Sequence, residues 1–317
     1  MPSQIRAVRF DAFGGPEQLT FDTLPQLEPG PLQVRIHVKA ASLNPIDSKI
    51  RKGTMTWMSG KKFPKRVGFD ASGVVEAVGS NVTDLEKGDR VLAFVDPARG
   101  AFAESVLADV KSVVKLPSHV GFESAAAGVV IVTALQALRA APLERGASVL
   151  VTGASGGVGL FVVQLAKARG LRVTATGSAD GVELIRRFGA EEAYDYRTSP
   201  SLSGPFDAIF DFGSAFTFDR AKPLLTPSGC WVDPTPTPQR LVAQLVLNPF
   251  RRKKYRPLMT RPLPADLAEA VRLLSESISA VVAKTFPMSQ VVDAYRFLEK
   301  GGVVGRVVVT TNHTESR

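Results

Sequence analysis

The chain has 317 residues, 44% hydrophobic and 22% charged, so it can bury a core without cross-links, and its length suggests two domains. One cysteine, Cys230, excludes a disulfide framework and a cysteine-built zinc site, and fits a reducing, cytoplasmic setting. Residues Met1 to Phe10 lack the basic-then-apolar pattern of a secretory leader. No apolar run approaches the roughly 20 residues that span a bilayer, so no integral membrane association is expected. The net charge of +9 is compatible with binding nucleic acid, an anionic membrane or a phosphorylated cofactor. Its densest cluster is Arg251, Arg252, Lys253, Lys254 and Arg256, beside Phe250 and Tyr255. It reads as a solvated loop rather than a nucleic-acid or membrane patch.

In chain order, the first hundred residues read as strands and turns. Residues 33–40 place Val34, Ile36, Val38 and Ala40 alternately against polar neighbours, the period of a half-buried strand. Short β-rich runs follow at 73–78, 90–94 and 102–107, punctuated by turn residues such as Gly88 and Asp89. Past Pro117 the pattern changes. A helix is predicted over 123–139, a buried strand over 148–152, a helix over 158–169 and a strand over 172–176. A helix over 183–188 and strands at 208–212 and 230–232 complete the alternation, which implies a parallel sheet with helices on both faces. The stretch holding Pro234, Pro236, Pro238 and Pro249 reads as a loop. Helices over 265–275 and 289–300 precede a last strand over 303–310, which is expected to join the N-terminal β domain.

The strongest local signal runs from Val149 to Gly159. A buried strand enters a turn with Gly153, Gly156, Gly157 and Gly159, and a helix follows. Glycines let the backbone approach a pyrophosphate, and the helix N-terminus offers it free N–H groups and a positive dipole end. Gly153, Ser155 and Gly157 also fit the G-x-S-x-G elbow of serine hydrolases, but that chemistry needs a later histidine, and only His313 follows Ser155. The glycine pattern is also similar to that of short-chain dehydrogenases. Their Tyr-x-x-x-Lys pair is missing here, since no tyrosine has a lysine four residues on.

The order of motifs resembles the medium-chain dehydrogenase/reductase superfamily, in its quinone oxidoreductase branch. The resemblance rests on Ala41-Ser-Leu-Asn-Pro-Ile-Asp47, Gly68-Phe-Asp-Ala-Ser-Gly-Val-Val75, Gly88-Asp-Arg-Val91 and Thr133-Ala-Leu-Gln-Ala-Leu138. The glycine loop with Gln164-Leu-Ala-Lys167, then Phe286-Pro-Met and Gly305-Arg-Val-Val308, complete it. It implies an α/β fold in which a doubly wound Rossmann sheet (120–257) is inserted in a GroES-like β-barrel domain (1–119 and 258–317). It further implies an active-site cleft between the domains and, usually, a homodimer; no nucleic-acid partner is expected. Zinc alcohol dehydrogenases of the same superfamily carry Cys where Asn44 stands, and Gly-His-Glu where this chain has Gly68, Phe69 and Asp70. With thiolate and imidazole ligands missing, no metal site is expected.

NAD-binding relatives of this fold end the second strand with an acid that holds the ribose. Here Gly177 and Ser178 stand there, which favours NADPH: Gly177 leaves room for a 2′-phosphate and Ser178 offers a hydrogen bond. The resemblance adds Tyr196 and Arg197 near that phosphate. It places Asn44, Thr133, Gly153, Ser155, Gly156, Gly157, Val158, Phe212 and Arg306 at the cofactor. Asn44 and Lys49 are the catalytic candidates, with Lys49 standing where relatives often have tyrosine; its alternative is an exposed lysine at a strand end. Asp70 has two readings, shaping the cleft near the cofactor or, more commonly for Asp, capping a turn. Without a metal to acidify an alcohol, hydride addition to a quinone or an α,β-unsaturated carbonyl is the expected chemistry. A non-catalytic NADPH-binding or sensor protein of the same fold is the alternative.

Overall fold

The computed structural model describes residues 3–198 and 202–311. His313, the histidine a serine hydrolase would need, lies outside the described residues. Two compact units form. The first holds the chain up to Val129, Pro262–Gly301 and the segment from Arg306; the second holds Val130–Arg261 with Gly302–Gly305.

The first unit contains a sheet in the strand order Val282–Pro287, Arg306–Thr310, Gln33–Ser42, Asp70–Val78, Arg90–Phe94, Val113–Lys115, with Ser105–Asp109 also paired to Gln33–Ser42. The period-two pattern of 33–40 is used as expected: Val34, Ile36, Val38 and Ala40 are all buried. The last strand pairs antiparallel with Gln33–Ser42, bringing Val308 opposite Ser42. It starts at Arg306 rather than 303 because Gly302 and Gly305 hold positive φ, which ladder residues avoid. A three-stranded sheet, Thr20–Pro25, Gln4–Phe10 and Lys65–Arg66, completes the β structure.

The stretch predicted as one helix over 123–139 forms two, Phe122–Gly128 and Ile131–Ala140. The ladder loosens between them, where the Val129 amide reaches back only to Ala126, at 3.5 Å. Phe122–Gly128 packs on Gln33–Ser42 and Asp70–Val78, and Ala126 and Ala127 join Ala40 and Val308 in one core. Together residues 122–140 are long and apolar enough to cross a membrane by length and composition, but 67% of the stretch is buried in the protein. It is core helix.

In the second unit, six strands lie parallel in the order Glu192–Asp195, Arg172–Gly177, Ser148–Thr152, Phe206–Asp211, Leu225–Asp233, Lys254–Pro257. Numbered within the unit this is 3-2-1-4-5-6, the doubly wound Rossmann order. The order reverses between Ser148–Thr152 and Phe206–Asp211, and ligands of such sheets bind outside the strand ends at that switch point.

Two stretches read as loops are ordered elements. Pro238–Leu247 is a helix, because Thr237 caps it, accepting from the Arg240 amide at 3.3 Å, and Pro238 sits in the first turn, where a missing N–H costs nothing. The basic run ends in the sixth strand, whose Tyr255 is buried against Trp231 at a ring distance of 5.2 Å.

Candidate functional site

The glycine loop leaves the Ser148–Thr152 strand at the switch point and enters the helix Gly157–Ala168. Gly153 has φ +61, and a Cβ there would lie 2.7 Å from the Gly213 nitrogen and 2.9 Å from the Phe212 carbonyl carbon. A Cβ on Gly159 would lie 2.4 Å from the Gly153 oxygen. These two glycines therefore permit the turn itself. Gly156 differs: it is extended, at φ −79 and ψ 171, and its Cβ would meet only the Gly153 oxygen, at 3.3 Å. A Cβ there would meet no side chain. Gly157, Val158 and Gly159 open the helix, where amides lack intrahelical acceptors.

Asp211 clamps the loop from the neighbouring strand. Its buried carboxylate accepts from the Thr152 hydroxyl at 2.5 Å and from the Ala215 and Phe216 amides at 2.8 and 2.9 Å. The Thr152 oxygen in turn accepts from the Gly213 amide at 3.2 Å. Phe212 is half-buried at that strand end.

Ser155 and the end of the second strand are tied together. The Ser155 hydroxyl oxygen accepts from the Ser178 amide at 3.0 Å and from its hydroxyl at 3.3 Å, with both serines buried. Gly177 does not open space as the sequence suggests. A Cβ there would lie 2.5 Å from Ile185 Cδ1 and 3.0 Å from Ser155 Cβ, so its smallness serves packing. Gly181 is constrained likewise, 2.4 Å from Ser155 Cβ. The groups presented outward are Tyr196 and Arg197. The Tyr196 amide donates to the Gly177 carbonyl at 3.0 Å, and the Arg197 guanidinium lies 5.3 Å from the Tyr196 ring centre. Both are exposed, as is Asp180. Thr133, on the helix Ile131–Ala140, accepts a hydrogen bond from the Thr260 hydroxyl at 3.0 Å.

In the first unit, Asn44, Asp70 and Arg306 form one buried cluster. The Arg306 guanidinium donates to Asp70 Oδ2 at 3.0 Å, to Asn44 Oδ1 at 2.9 Å and to the Ser42 hydroxyl. Asn44 Nδ2 and Ser42 Oγ each donate to Asp70 Oδ2 at 2.9 Å. Asp70 is thus no turn cap: it opens the strand Asp70–Val78 as the acceptor on which this cluster converges. Burial pushes its carboxyl up and the Arg306 guanidinium down, and each partner's charge opposes that shift.

Asn44 precedes the helix Pro45–Arg51, an element the sequence reading missed although Asn44, Pro45 and Asp47 are start signals. Lys49 therefore sits on a helix, not at a strand end. It is half-buried and already partnered. Asp47, on the same helix, accepts from the Asn44 amide at 2.9 Å and the Gly68 amide at 3.3 Å. The buried Tyr295 lies beside it. A recess of about 370 Å³ opens here, lined by Asp47, Ile50, Met58, Pro64, Phe69 and Pro97 among others.

Burial raises the Asp47 carboxyl from 3.8 to about 7, with the nearby Asp70 adding to the shift and the two amides opposing it. Across this window the folded protein holds a proton that the unfolded chain has released. Stability is therefore present at low pH and lost as pH rises toward 7. The loss is on the order of a few kcal/mol. Asp47→Asn is expected to flatten that slope, measured as the difference in urea midpoint between about pH 5 and pH 8. An unchanged slope would show that the carboxyl is ionised throughout.

Among the described residues, no three His, Cys, Asp or Glu side chains come together to hold a metal ion. Cys230 is buried in the Leu225–Asp233 strand, and burial pushes its thiol up to about 11.

Comparisons with known proteins bear on the family and the fold. The family described as the alcohol dehydrogenase GroES-like domain matches residues 30–118, and that described as zinc-binding dehydrogenase matches 188–309. The chloroplast envelope quinone oxidoreductase homolog of Arabidopsis thaliana is 34% identical over 322 residues, covering 96% of this chain and 98% of its own. The chain belongs to the medium-chain dehydrogenase/reductase superfamily and is quinone oxidoreductase-like. The quinone oxidoreductase of Coxiella burnetii superposes with a TM-score of 0.88 at 29% identity, covering 98% of this chain and 100% of its own. Mycobacterial Rv1454c, solved in complex with NADPH, superposes with a TM-score of 0.81 at 28% identity, covering 96% and 99%. The resemblance read from the sequence is thus shown, and so is its fold: a Rossmann sheet inserted in a GroES-like domain. The chain is an oxidoreductase of this superfamily.

Proposed function

We propose that this chain is a zinc-independent reductase that uses NADPH to reduce a quinone or an α,β-unsaturated carbonyl. The observation that carries the reading is the glycine loop at the switch point, with no side chain against the place of a Gly156 Cβ and no carboxylate ending the second strand. Bound there, NADPH would supply the hydride.

The chain's own residues do the rest. The backbone of Gly153 and Gly156 and the amides of Gly157 and Val158 would hold the pyrophosphate. Ser155 acts indirectly, through its bonds to Ser178, by fixing the loop against the second strand. Tyr196 and Arg197 would meet the 2′-phosphate, taking the part first given to Gly177 and Ser178. Thr133 and Phe212 would border the nicotinamide. Asn44, fixed in one orientation by Asp70 and Arg306, and Lys49 are our candidates to steady the anion that forms on the acceptor, with solvent supplying the final proton. The recess beside Asp47 has a mixed wall, with Ile50, Met58, Pro64 and Phe69 beside the charged Lys65, Arg66 and Asp96, and is our candidate place for the acceptor.

Metal independence is supported by Asp70. Where zinc relatives carry a ligand, its charge is met by Arg306, a cation built into the chain. Activity is expected to survive dialysis against a strong chelator, with no stoichiometric zinc by elemental analysis; one zinc per active chain would contradict this. Cofactor choice is read by nicotinamide fluorescence. NADPH is expected to bind more tightly than NADH, and Arg197→Glu to cut that preference roughly tenfold by placing an anion at the phosphate. Because Arg197 is exposed, folding should be unaffected. An unchanged preference would remove Arg197 from the site. Consumption of NADPH across a panel of quinones, alkenals and cyclic enones tests the function as a whole. A folded protein that binds NADPH but reduces none of them would be a sensor and not a reductase.

A further inference from the structure

A second recess, of about 270 Å³, lies in the first unit where the three-stranded sheet meets the strand Ser105–Asp109. Ile5, Ala7, Leu24, Leu27, Val106 and Leu107 form its apolar wall, and Arg35, Arg66 and Arg99 border it. It shares only Arg66 and Ala98 with the recess beside Asp47.

The register of the small sheet grades this wall. Ile5 stands opposite Leu24, Ala7 opposite Asp22, and Arg9 opposite Arg66. Alternate residues of a strand share a face, so these rungs lie on one side of the sheet, apolar at one end and cationic at the other. From Ile5 to Arg9 the strand runs about 13 Å.

At the cationic end the charges outnumber the acids that meet them. Arg9 and Arg66 share the Asp22 carboxylate, at 3.0 and 3.9 Å, and the other acid that Arg9 reaches, Asp11, is exposed. Like charges directly opposite in a ladder repel. Arg66 Nη1 is buried and has no hydrogen-bond partner among the described residues. Burial pushes the Arg66 guanidinium down, Asp22 opposes that shift, and Arg9 adds to it. The turn carrying Arg99 is packed onto Arg66: a Cβ on Gly100 would lie 2.6 Å from Arg66 Cβ, and the Phe102 amide donates to the Val67 carbonyl at 3.2 Å. No carboxylate pairs with Arg99 among the described residues. Arg35 is different, because Glu28 and Glu76 already meet its charge, at 2.9 and 3.3 Å.

We propose that this recess binds a medium-chain carboxylic acid, of about eight to ten carbons, in its ionised form. The chain lies along Ile5, Leu24 and Leu27, and the carboxylate takes hydrogen bonds from Arg66 and Arg99, as guanidinium groups readily give. An inorganic anion would engage the cations and leave the apolar wall without a role. An uncharged lipid would do the reverse. The proposal does not rest on the function above, since none of the residues assigned to the cofactor or to the acceptor's anion borders this recess.

Titration calorimetry of the full chain tests it, with octanoate as the probe. Octanoate is expected to bind one to one, and roughly tenfold more tightly than acetate, which lacks the chain, or octanol, which lacks the charge. At saturation it should raise the melting temperature. Arg99→Glu, Arg66→Gln and Leu27→Asp should each weaken octanoate binding about tenfold. Leu27 is 59% exposed and Arg99 is half-buried on a turn, so Leu27→Asp and Arg99→Glu should melt as the parent does. Met58→Glu, which alters only the recess beside Asp47, should leave octanoate binding unchanged. Equal affinity for octanoate and octanol, or for octanoate and acetate, would overturn the proposal. So would unaltered binding by a folded Leu27→Asp protein, or loss of binding in Met58→Glu, which would place the acid in the other recess.

Discussion

Replacing Gly156 with valine is expected to weaken NADPH binding by about two orders of magnitude, roughly 3 kcal/mol, while the melting temperature stays within a few degrees of the parent. The backbone at Gly156 is extended, at φ −79 and ψ 171, a conformation valine adopts readily. Its Cβ would meet only the Gly153 oxygen, at 3.3 Å, so the fold accommodates it with a shift of a few tenths of an ångström. The branched side chain would then stand where a pyrophosphate must approach the amides of Gly157 and Val158. Gly153 and Gly159 cannot serve as this probe. Substituting either forces backbone contacts under 3.0 Å, so lost binding would be inseparable from a broken loop. Gly177→Asp fails for the same reason, against Ile185 and Ser155. Fluorescence titration with a parallel melt gives both readouts, and a folded Gly156→Val protein with normal affinity would move the cofactor site elsewhere.

The largest effect on stability is expected from Arg306→Met, at about 3–5 kcal/mol. Removing the guanidinium strips Asp70 of its only ion-pair partner among the described residues and leaves a buried carboxylate with two donors, Ser42 and Asn44. The folded protein would then hold Asp70 protonated. Its folded pKa would rise further above that of the unfolded chain, so stability would be lost as pH rises, and the cost should be greater near pH 8 than near pH 5. The double variant Asp70→Asn with Arg306→Met should lose less than the single variant at pH 8, because no charge remains to be buried. Denaturant unfolding of the three proteins decides this. A single variant within about 1 kcal/mol of the parent would mean that the ion pair does not hold the cluster together.

Much of this molecule was legible because its signals are local. The glycine loop declares itself by a strand, four glycines and a helix in one continuous stretch, and the parallel sheet by alternation of periods. The alternation at Val34 to Ala40 likewise fixed which side chains turn inward. What stayed hidden depends on residues distant in sequence. Asp70 looked like a turn residue because Arg306, 236 positions away, supplies its partner only after folding. Gly177 looked like space for a ligand because Ile185 and Ser155 reach it only in three dimensions. The helix Pro238–Leu247 was different: Thr237 and Pro238 gave a start signal, but four prolines nearby suggested a loop. The helix Pro45–Arg51 was likewise obscured by a family alternative that centred on single residues, Asn44 and Lys49, and not on the element carrying them.

The central claim is direct hydride transfer from NADPH to an electron-poor carbon or a quinone, aligned by the chain without a metal or a covalent enzyme intermediate. NADPH carrying deuterium at the transferable C4 position, incubated with the chelator-treated protein and a cyclic enone, tests it most directly. The expected product carries one deuterium at the former β-carbon, with Lys49→Ala lowering turnover more than it weakens NADPH binding. Product formed without deuterium at that carbon, or no product from any enone or quinone by a protein that binds NADPH, would contradict the account.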